Sequence, residues 1–194
     1  MNNPLLPEKH HILDIIEETD LESTFVVEFP IDSIRHGQFF KISLPKIGEA
    51  PISISSFTDS TVVFTIRRVG QLTNVIFDLA PGDDLYIRGP YGNGFPLESF
   101  KNKHVVVIAG GTGVAPVRST LKHFLHHPQD CKDVYTIAGF RDPSHTLFEN
   151  DLKAFVNAPH FHTTLTLDNG QKEGFKEGFA MNYVKDIPFQ EWGE

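Results

Sequence analysis

His104-Val105-Val106-Val107-Ile108-Ala109-Gly110-Gly111-Thr112-Gly113-Val114-Ala115-Pro116 is the stretch whose reading decides the fold. Its first six residues are almost all apolar, as in a strand covered on both faces of a parallel sheet. Glycines follow, and Pro116 sits where a helix's first turn tolerates it. A helix is predicted over Pro116–His127, with Val117, Leu121, Phe124 and Leu125 on its apolar side. A strand, a glycine loop and a helix start in succession suit a dinucleotide. Glycines let backbone amides approach a pyrophosphate, which then meets the positive end of the helix. The spacing is not GxGxxG, and a glycine-rich turn with no ligand is the alternative reading. Downstream, Val134–Ala138 and Thr163–Leu167 read as strands and Leu147–Val156 as a helix. This βαβαβ order implies an open, Rossmann-like parallel sheet.

Upstream the pattern changes. His11–Ile16, Thr24–Phe29, Phe39–Leu44, Ile52–Phe57, Thr61–Val69 and Asp84–Arg88 read as short strands separated by turn residues, which predicts an antiparallel barrel or sandwich. Leu72–Ala80 interrupts them with helical spacing, and Thr73 is the expected cap. The polar stretch Leu97–Lys103 marks the boundary, giving domains over 1–99 and 100–194. Arg67-Arg68-Val69-Gly70-Gln71-Leu72-Thr73-Asn74 gathers two arginines, a glycine, a hydroxyl and a helix start, a set suited to a second phosphate. Strand alternation turns Arg67 and Arg68 to opposite sides, so one of them at most faces a ligand. A hairpin with a surface arginine is the competing reading.

The 194 residues carry 17 Lys+Arg against 25 Asp+Glu, a formal charge of −8, which disfavours nucleic acid as a partner. Hydrophobic residues at 40% exclude wholesale disorder. No apolar run reaches the length of a membrane span, and the start, MNNPLLPEKHHIL, does not read as a secretion signal. A cytoplasmic location is expected. The single cysteine, Cys131, cannot form an internal disulfide or a multi-cysteine metal site. No Asp/Glu/His spacing suggests a metal, so no metal ligands are assigned. Ser53, Ser55 and Ser56 lack a nucleophile elbow.

Four segments, in this order, resemble the ferredoxin–NADP reductase superfamily: Gly48-Glu49-Ala50-Pro51-Ile52-Ser53, Ile66-Arg67-Arg68-Val69-Gly70, Arg88-Gly89-Pro90-Tyr91-Gly92-Asn93-Gly94-Phe95 and Gly110–Pro116. The resemblance implies a six-stranded Greek-key flavin-binding barrel followed by a parallel α/β nicotinamide domain. Within the superfamily the chain looks most like the B subunits of anaerobic sulfite reductases. Sulfhydrogenase gamma subunits and dihydroorotate dehydrogenase electron-transfer subunits are near relatives. Carried over by position, Ala50, Pro51, Ile52 and Ser53 form the flavin-contact stretch, with Ser53 near the reactive flavin N5. Many members have Arg-x-Tyr-Ser there, so Ala50 and Ile52 lack the usual phosphate contact and ring stacking. Thr65, Ile66 and Arg67 line the isoalloxazine and ribityl chain. Gly70, Leu72 and Thr73 cap the flavin pyrophosphate, and Arg67 replaces the charge absent at Ala50. Gly110, Gly111, Thr112, Gly113, Val114, Ala115 and Pro116 lie under the nicotinamide cofactor's pyrophosphate.

The implied activity is an NAD(P)H-dependent flavin oxidoreductase. Hydride passes from nicotinamide C4 to the N5 of FAD, with the rings at ~3–3.5 Å. Electrons then move singly to a larger redox partner, a sirohaem or iron–sulfur reductase subunit. A hydrogenase or dihydroorotate dehydrogenase subunit, or a non-catalytic FAD-binding fragment, are the alternatives. Full-length relatives continue with a last strand and a Cys-rich segment binding a two-iron two-sulfur cluster. Neither is in this chain, which is expected to be C-terminally truncated, with Pro188–Glu194 an interrupted sheet. For the donor, Asp168 stands where NADP-selective members carry a phosphate-binding pair, which favours NADH. Arg141 on a neighbouring loop argues for NADPH.

Overall fold

A computed structural model describes residues 6–30 and 34–192. The chain divides into two compact units. One holds residues up to Phe95 together with Ala115–Thr120, and the other holds Pro96–Val114 and the residues from Leu121 onward.

The first unit is a closed six-stranded barrel of β1 (Glu8–Glu17), β2 (Glu22–Glu28), β3 (Phe39–Leu44), β4 (Gly48–Phe57), β5 (Thr61–Arg67) and β6 (Asp84–Tyr91). Their order around the barrel is β1-β2-β5-β4-β3-β6, and every pair is antiparallel. β2 precedes the β3–β4–β5 meander yet lies beside β5, which is the Greek-key return. Alternation sends Phe25, Val27, Phe40, Ile42, Ile54, Val62, Phe64 and Ile66 inward, all essentially fully buried. Phe40 meets Phe64 edge-to-face at 5.7 Å between centroids, a geometry worth ~0.5–1.5 kcal/mol beyond area burial. The helix α1 (Gln71–Ile76) follows β5 and turns Ile76, Leu72 and Val75 onto this core.

Thr73 is not the cap of α1. Gly70 is the N-cap residue, and Thr73 lies at the third helical position. Its Oγ1 accepts from the Val69 and Gly70 amides at 2.9 and 3.0 Å and sits 3.1 Å from the Gly70 carbonyl oxygen. The hydroxyl reaches back to tie off the turn, and glycine has no side chain to return the bond.

The second unit is a parallel sheet of order β10-β9-β8-β7, built from β7 (His104–Gly110), β8 (Asp133–Phe140), β9 (Phe161–Leu167) and β10 (Phe175–Glu177). β10 was not anticipated from the sequence. The crossover helices are α2 (Val114–His126) and α3 (Glu149–Asn157). α2 starts two residues before the predicted Pro116, which occupies its third position, where a missing N–H breaks no intrahelical bond. Phe155 stacks on Phe161 at 5.3 Å, fixing α3 against β9. Of the closing stretch, Phe189–Glu191 form a 3-10 turn, and Gly193 and Glu194 lie outside the described residues. No helix among the described residues is long and apolar enough to cross a membrane.

Candidate functional site

In the barrel, the flavin-type residues flank a gap in the hydrogen-bond ladder. β4 pairs with β5 at Ile54↔Phe64, Ser56↔Val63 and Phe57↔Val62, and the register breaks between Ile54 and Ser56. Beyond Ile54 and Phe64 the two strands part. Ala50–Ser53 pair only with β3, and Thr65–Arg67 only with β2. Their facing edges therefore carry backbone groups that the sheet does not use, which a planar polar ligand can take up. α1 begins three residues after Arg67 and lies against β3 and β4. Its first-turn amides have no intrahelical acceptor.

Alternation puts the two positions that depart from the family pattern, 50 and 52, on one face of β4. Ala50 pairs with Ile42 and Ile52 with Phe40, both core residues, so these two side chains share the inner face. Pro51 and Ser53 share the outer one. Ser53 pairs with Phe39, which also pairs with Tyr91, so an aromatic pair 5.7 Å apart borders Ser53. Ile66 is buried in the core and can offer only backbone outward. Thr65 turns into a buried hydroxyl chain. Ser55 Oγ donates to the Val63 carbonyl at 3.1 Å, Thr65 Oγ1 lies 3.1 Å from Ser55 Oγ and 2.9 Å from Thr24 Oγ1, and Thr24 Oγ1 lies 2.8 Å from Glu18 Oε1. This chain ties β4, β5 and β2 together where the ladder stops.

The two arginines turn apart as alternation requires. Arg67 Nε lies 3.4 Å from Oε1 of buried Glu22, whose other oxygen accepts from Thr19, and the Arg67 side chain is 46% exposed. Arg68 donates to Asn74 Oδ1 at 3.3 Å and lies over the Phe77 ring. Arg67 is therefore held at the strand end, while Arg68 closes over α1.

In the second unit, a cleft of about 450 Å³ opens at the carboxyl ends of β7, β8 and β9. Its wall includes Gly110, Gly111, Arg141, Asp168, Phe179 and Met181. Ligands of open α/β sheets bind in this place. Gly111 has φ +50°, a left-handed turn that glycine takes without strain. Arg141 and Asp168 sit on adjoining loops: the Asp168 amide donates to the Phe140 carbonyl at 2.9 Å and the Asn169 amide to the Arg141 carbonyl at 2.8 Å. Thr112, Gly113, Val114, Ala115 and Pro116 continue from the glycine loop into the start of α2, and Val114 and Ala115 are buried.

Phe179, Ala180 and Met181 were missed by sequence reasoning. They belong to the segment after β10, and Phe179 and Met181 are 64% and 67% exposed. Gly139 is what lets this segment close in, because a Cβ there would lie 2.9 Å from both Ala180 Cβ and Thr166 Oγ1. Cys131 is buried, and burial with Asp133 and Asp130 nearby pushes its thiol up to about 11, so it is no nucleophile at neutral pH.

Residues 107–186 match the family described as oxidoreductase NAD-binding domain. Sulfhydrogenase 1 subunit gamma of Pyrococcus furiosus is 32% identical over 161 residues, covering 79% of this chain and 55% of that protein. A second Pyrococcus furiosus protein, described as "Probable dihydroorotate dehydrogenase B (NAD(+)), electron transfer subunit", is 34% identical over 185 residues, covering 90% of this chain and 68% of that one. The chain spans about half the length of the sulfhydrogenase gamma subunits it matches, 55% and 54%. Among solved structures, the Amycolatopsis cytochrome P450 reductase GcoB superposes with a TM-score of 0.79 at 21% identity, covering 94% of this chain and 58% of that one. A Neisseria gonorrhoeae ferredoxin NADP+ reductase, described with bound FAD and NADP, gives 0.78 at 19% identity, covering 95% and 78%. The closed barrel, the parallel sheet with its glycine loop, and the extent of identity to these relatives make the chain a member of the ferredoxin–NADP reductase superfamily.

Proposed function

We propose that this chain is the flavoprotein electron-transfer subunit of a larger reductase, taking hydride from NAD(P)H to FAD and passing electrons on. One observation carries the reading. Ala50–Ser53 and Thr65–Arg67 flank the parted β4–β5 ladder in one unit, and Gly110, Gly111, Arg141 and Asp168 line the strand-end cleft in the other, which supports a cofactor at each. Residues 1–99 are the proposed flavin domain and 100–194 the nicotinamide domain.

Bound FAD would supply the exchange between two-electron and one-electron chemistry. The chain's own part is positioning. Pro51, Ser53 and the backbone of Ala50–Ile52 and Thr65–Arg67 would hold the flavin ring and chain. Gly70, the amides of Leu72 and Thr73, and the Arg67 guanidinium would face its pyrophosphate. The Thr73 hydroxyl shapes that turn, since its bonds are made within it. Gly110–Pro116 would carry the nicotinamide cofactor's pyrophosphate, and Phe179 offers a ring face to its adenine. Asp168 would accept from a free ribose hydroxyl, which supports NADH as the donor.

The partner reading follows the relatives. Their names make them subunits of sulfhydrogenases and dihydroorotate dehydrogenases, which supports a multisubunit redox partner. The anaerobic sulfite reductase assignment rests on sequence resemblance. The names of the relatives favour, as the second reading, a hydrogenase or dihydroorotate dehydrogenase complex.

The test is the visible spectrum of the purified protein, followed by addition of NADH or NADPH without oxygen. Flavin absorbance, bleached by a nicotinamide donor, is expected. A colourless protein that takes up neither FAD nor FMN overturns the proposal.

A further inference from the structure

We infer that Asp142, through Arg141, sets the discrimination against a 2′-phosphate in the strand-end cleft. The inference deepens the nicotinamide reading and rests on it. Arg141 and Asp168 are the charged side chains on the cleft wall, and taken alone they would cancel. A guanidinium at this position would ordinarily be the obvious grip for a phosphate.

Arg141 is not a free cation, however. Its Nε lies 3.6 Å from Asp142 Oδ2. Asp142 is itself firmly held. Its Oδ1 accepts from the Ser144 amide at 3.0 Å, the Ser144 hydroxyl at 2.6 Å and the His145 amide at 3.2 Å, and lies 2.7 Å from His145 Nδ1. The bonds from Ser144 and His145 hold the carboxyl down at about 2, so it carries its charge throughout the neutral range. One oxygen thus anchors the turn after β8, and the other is left facing Arg141.

With Asp142 counted, the group Arg141, Asp142 and Asp168 is net negative. A 2′-phosphate would enter against that charge, whereas a neutral 2′-hydroxyl would not. Arg141 is 67% exposed, so its pairing is weak as a source of stability. Its effect is on recognition: a 2′-phosphate must compete with Asp142 for the same guanidinium, so the two residues act together rather than as separate charges.

Calorimetry on the full chain, with 5′-AMP and adenosine 2′,5′-bisphosphate as probes, tests this. The quantity read is the ratio of the two affinities. The wild-type protein is expected to favour 5′-AMP, and this preference should shrink as salt is raised, because exposed charges are screened. Asp142→Asn keeps an acceptor for the turn and removes the charge. It should shift the ratio about tenfold toward the bisphosphate, the size of one nearby unit charge in a solvated site. Arg141→Ala should then cost the bisphosphate about tenfold in the Asp142→Asn background but less than about threefold in the wild type, a coupling that loss of structure alone would not produce.

A salt-independent ratio overturns the inference, as does an Asp142→Asn shift that survives Arg141→Ala. In both cases binding of 5′-AMP and NADH would leave the nicotinamide reading standing. A wild-type protein that binds neither 5′-AMP nor NADH overturns both.

Discussion

Gln38 is the residue whose replacement should most clearly expose how the barrel holds its Gly89–Phe95 segment. It lies just before β3 and is 8% exposed, and both ends of its carboxamide are engaged. Oε1 accepts from the Arg35 amide at 2.7 Å, and Nε2 donates to the Gly92 carbonyl at 2.8 Å. Its backbone carbonyl accepts from the Ile54 amide at 3.0 Å. One side chain therefore bridges the loop before β3 to the turn after β6, and the main chain beside it fixes β4 next to Ser53. Gln38→Leu removes both side-chain bonds, worth about 1 kcal/mol each net. Gly92 is exposed, so water can take over its carbonyl. Arg35 is exposed as well, so water can reach its amide too, and no further penalty is added. The expected loss is about 2 kcal/mol, or roughly 1 M in urea midpoint for a slope of about 2 kcal/mol per M.

Gln38→Glu separates the two halves of the bridge. It keeps the acceptor for Arg35 but sets a carboxylate against the Gly92 carbonyl. At neutral pH it should be no more stable than Gln38→Leu. Below about pH 4 a protonated Glu can again donate, and its deficit relative to wild type should shrink. Urea unfolding followed by circular dichroism at both pH values reads the effect. A Gln38→Leu protein within about 0.5 kcal/mol of wild type would refute the reasoning, showing that water fills the bridge without cost.

Two further outcomes are expected. Arg88, hydrogen-bonded to both oxygens of Glu49, and Lys41 beside it hold the Glu49 carboxyl down at about 2 against an ordinary 4.5; this lowered value adds stability above pH 4.5 that is lost as pH falls toward 2, so Glu49→Gln should flatten that part of the urea-stability curve, and an unaltered slope would contradict the pairing. Thr73→Ala should cost about 1 kcal/mol by freeing the Val69 and Gly70 amides at the start of α1, checked by the same unfolding assay, and no loss would mean that the hydroxyl does not hold the turn.

The features legible in the sequence were those whose cause is local. Alternation placed all six barrel strands, because each inward residue meets the same core and a one-residue slip would turn it to solvent. The glycine loop was legible because a strand, a tight turn and a helix start follow one another within a single stretch. Thr73 was placed at the wrong helix position for a local reason too: threonine is a common cap, and nothing in the sequence distinguishes a hydroxyl reaching forward from one reaching back. What escaped was set by partners far along the chain. β10 is three residues between Gly174 and Gly178, too short for any period, and it is a strand only because Leu165–Leu167 offer an edge to pair with. The Phe179–Met181 wall of the cleft depends on Gly139, whose missing side chain makes room for Ala180, a match that neither segment announces. Gln38 and Gly92 are 54 positions apart. The same logic covers Arg141. Its sequence advertises a cation, and only the geometry of the adjoining turn shows which oxygen of Asp142 remains to answer it.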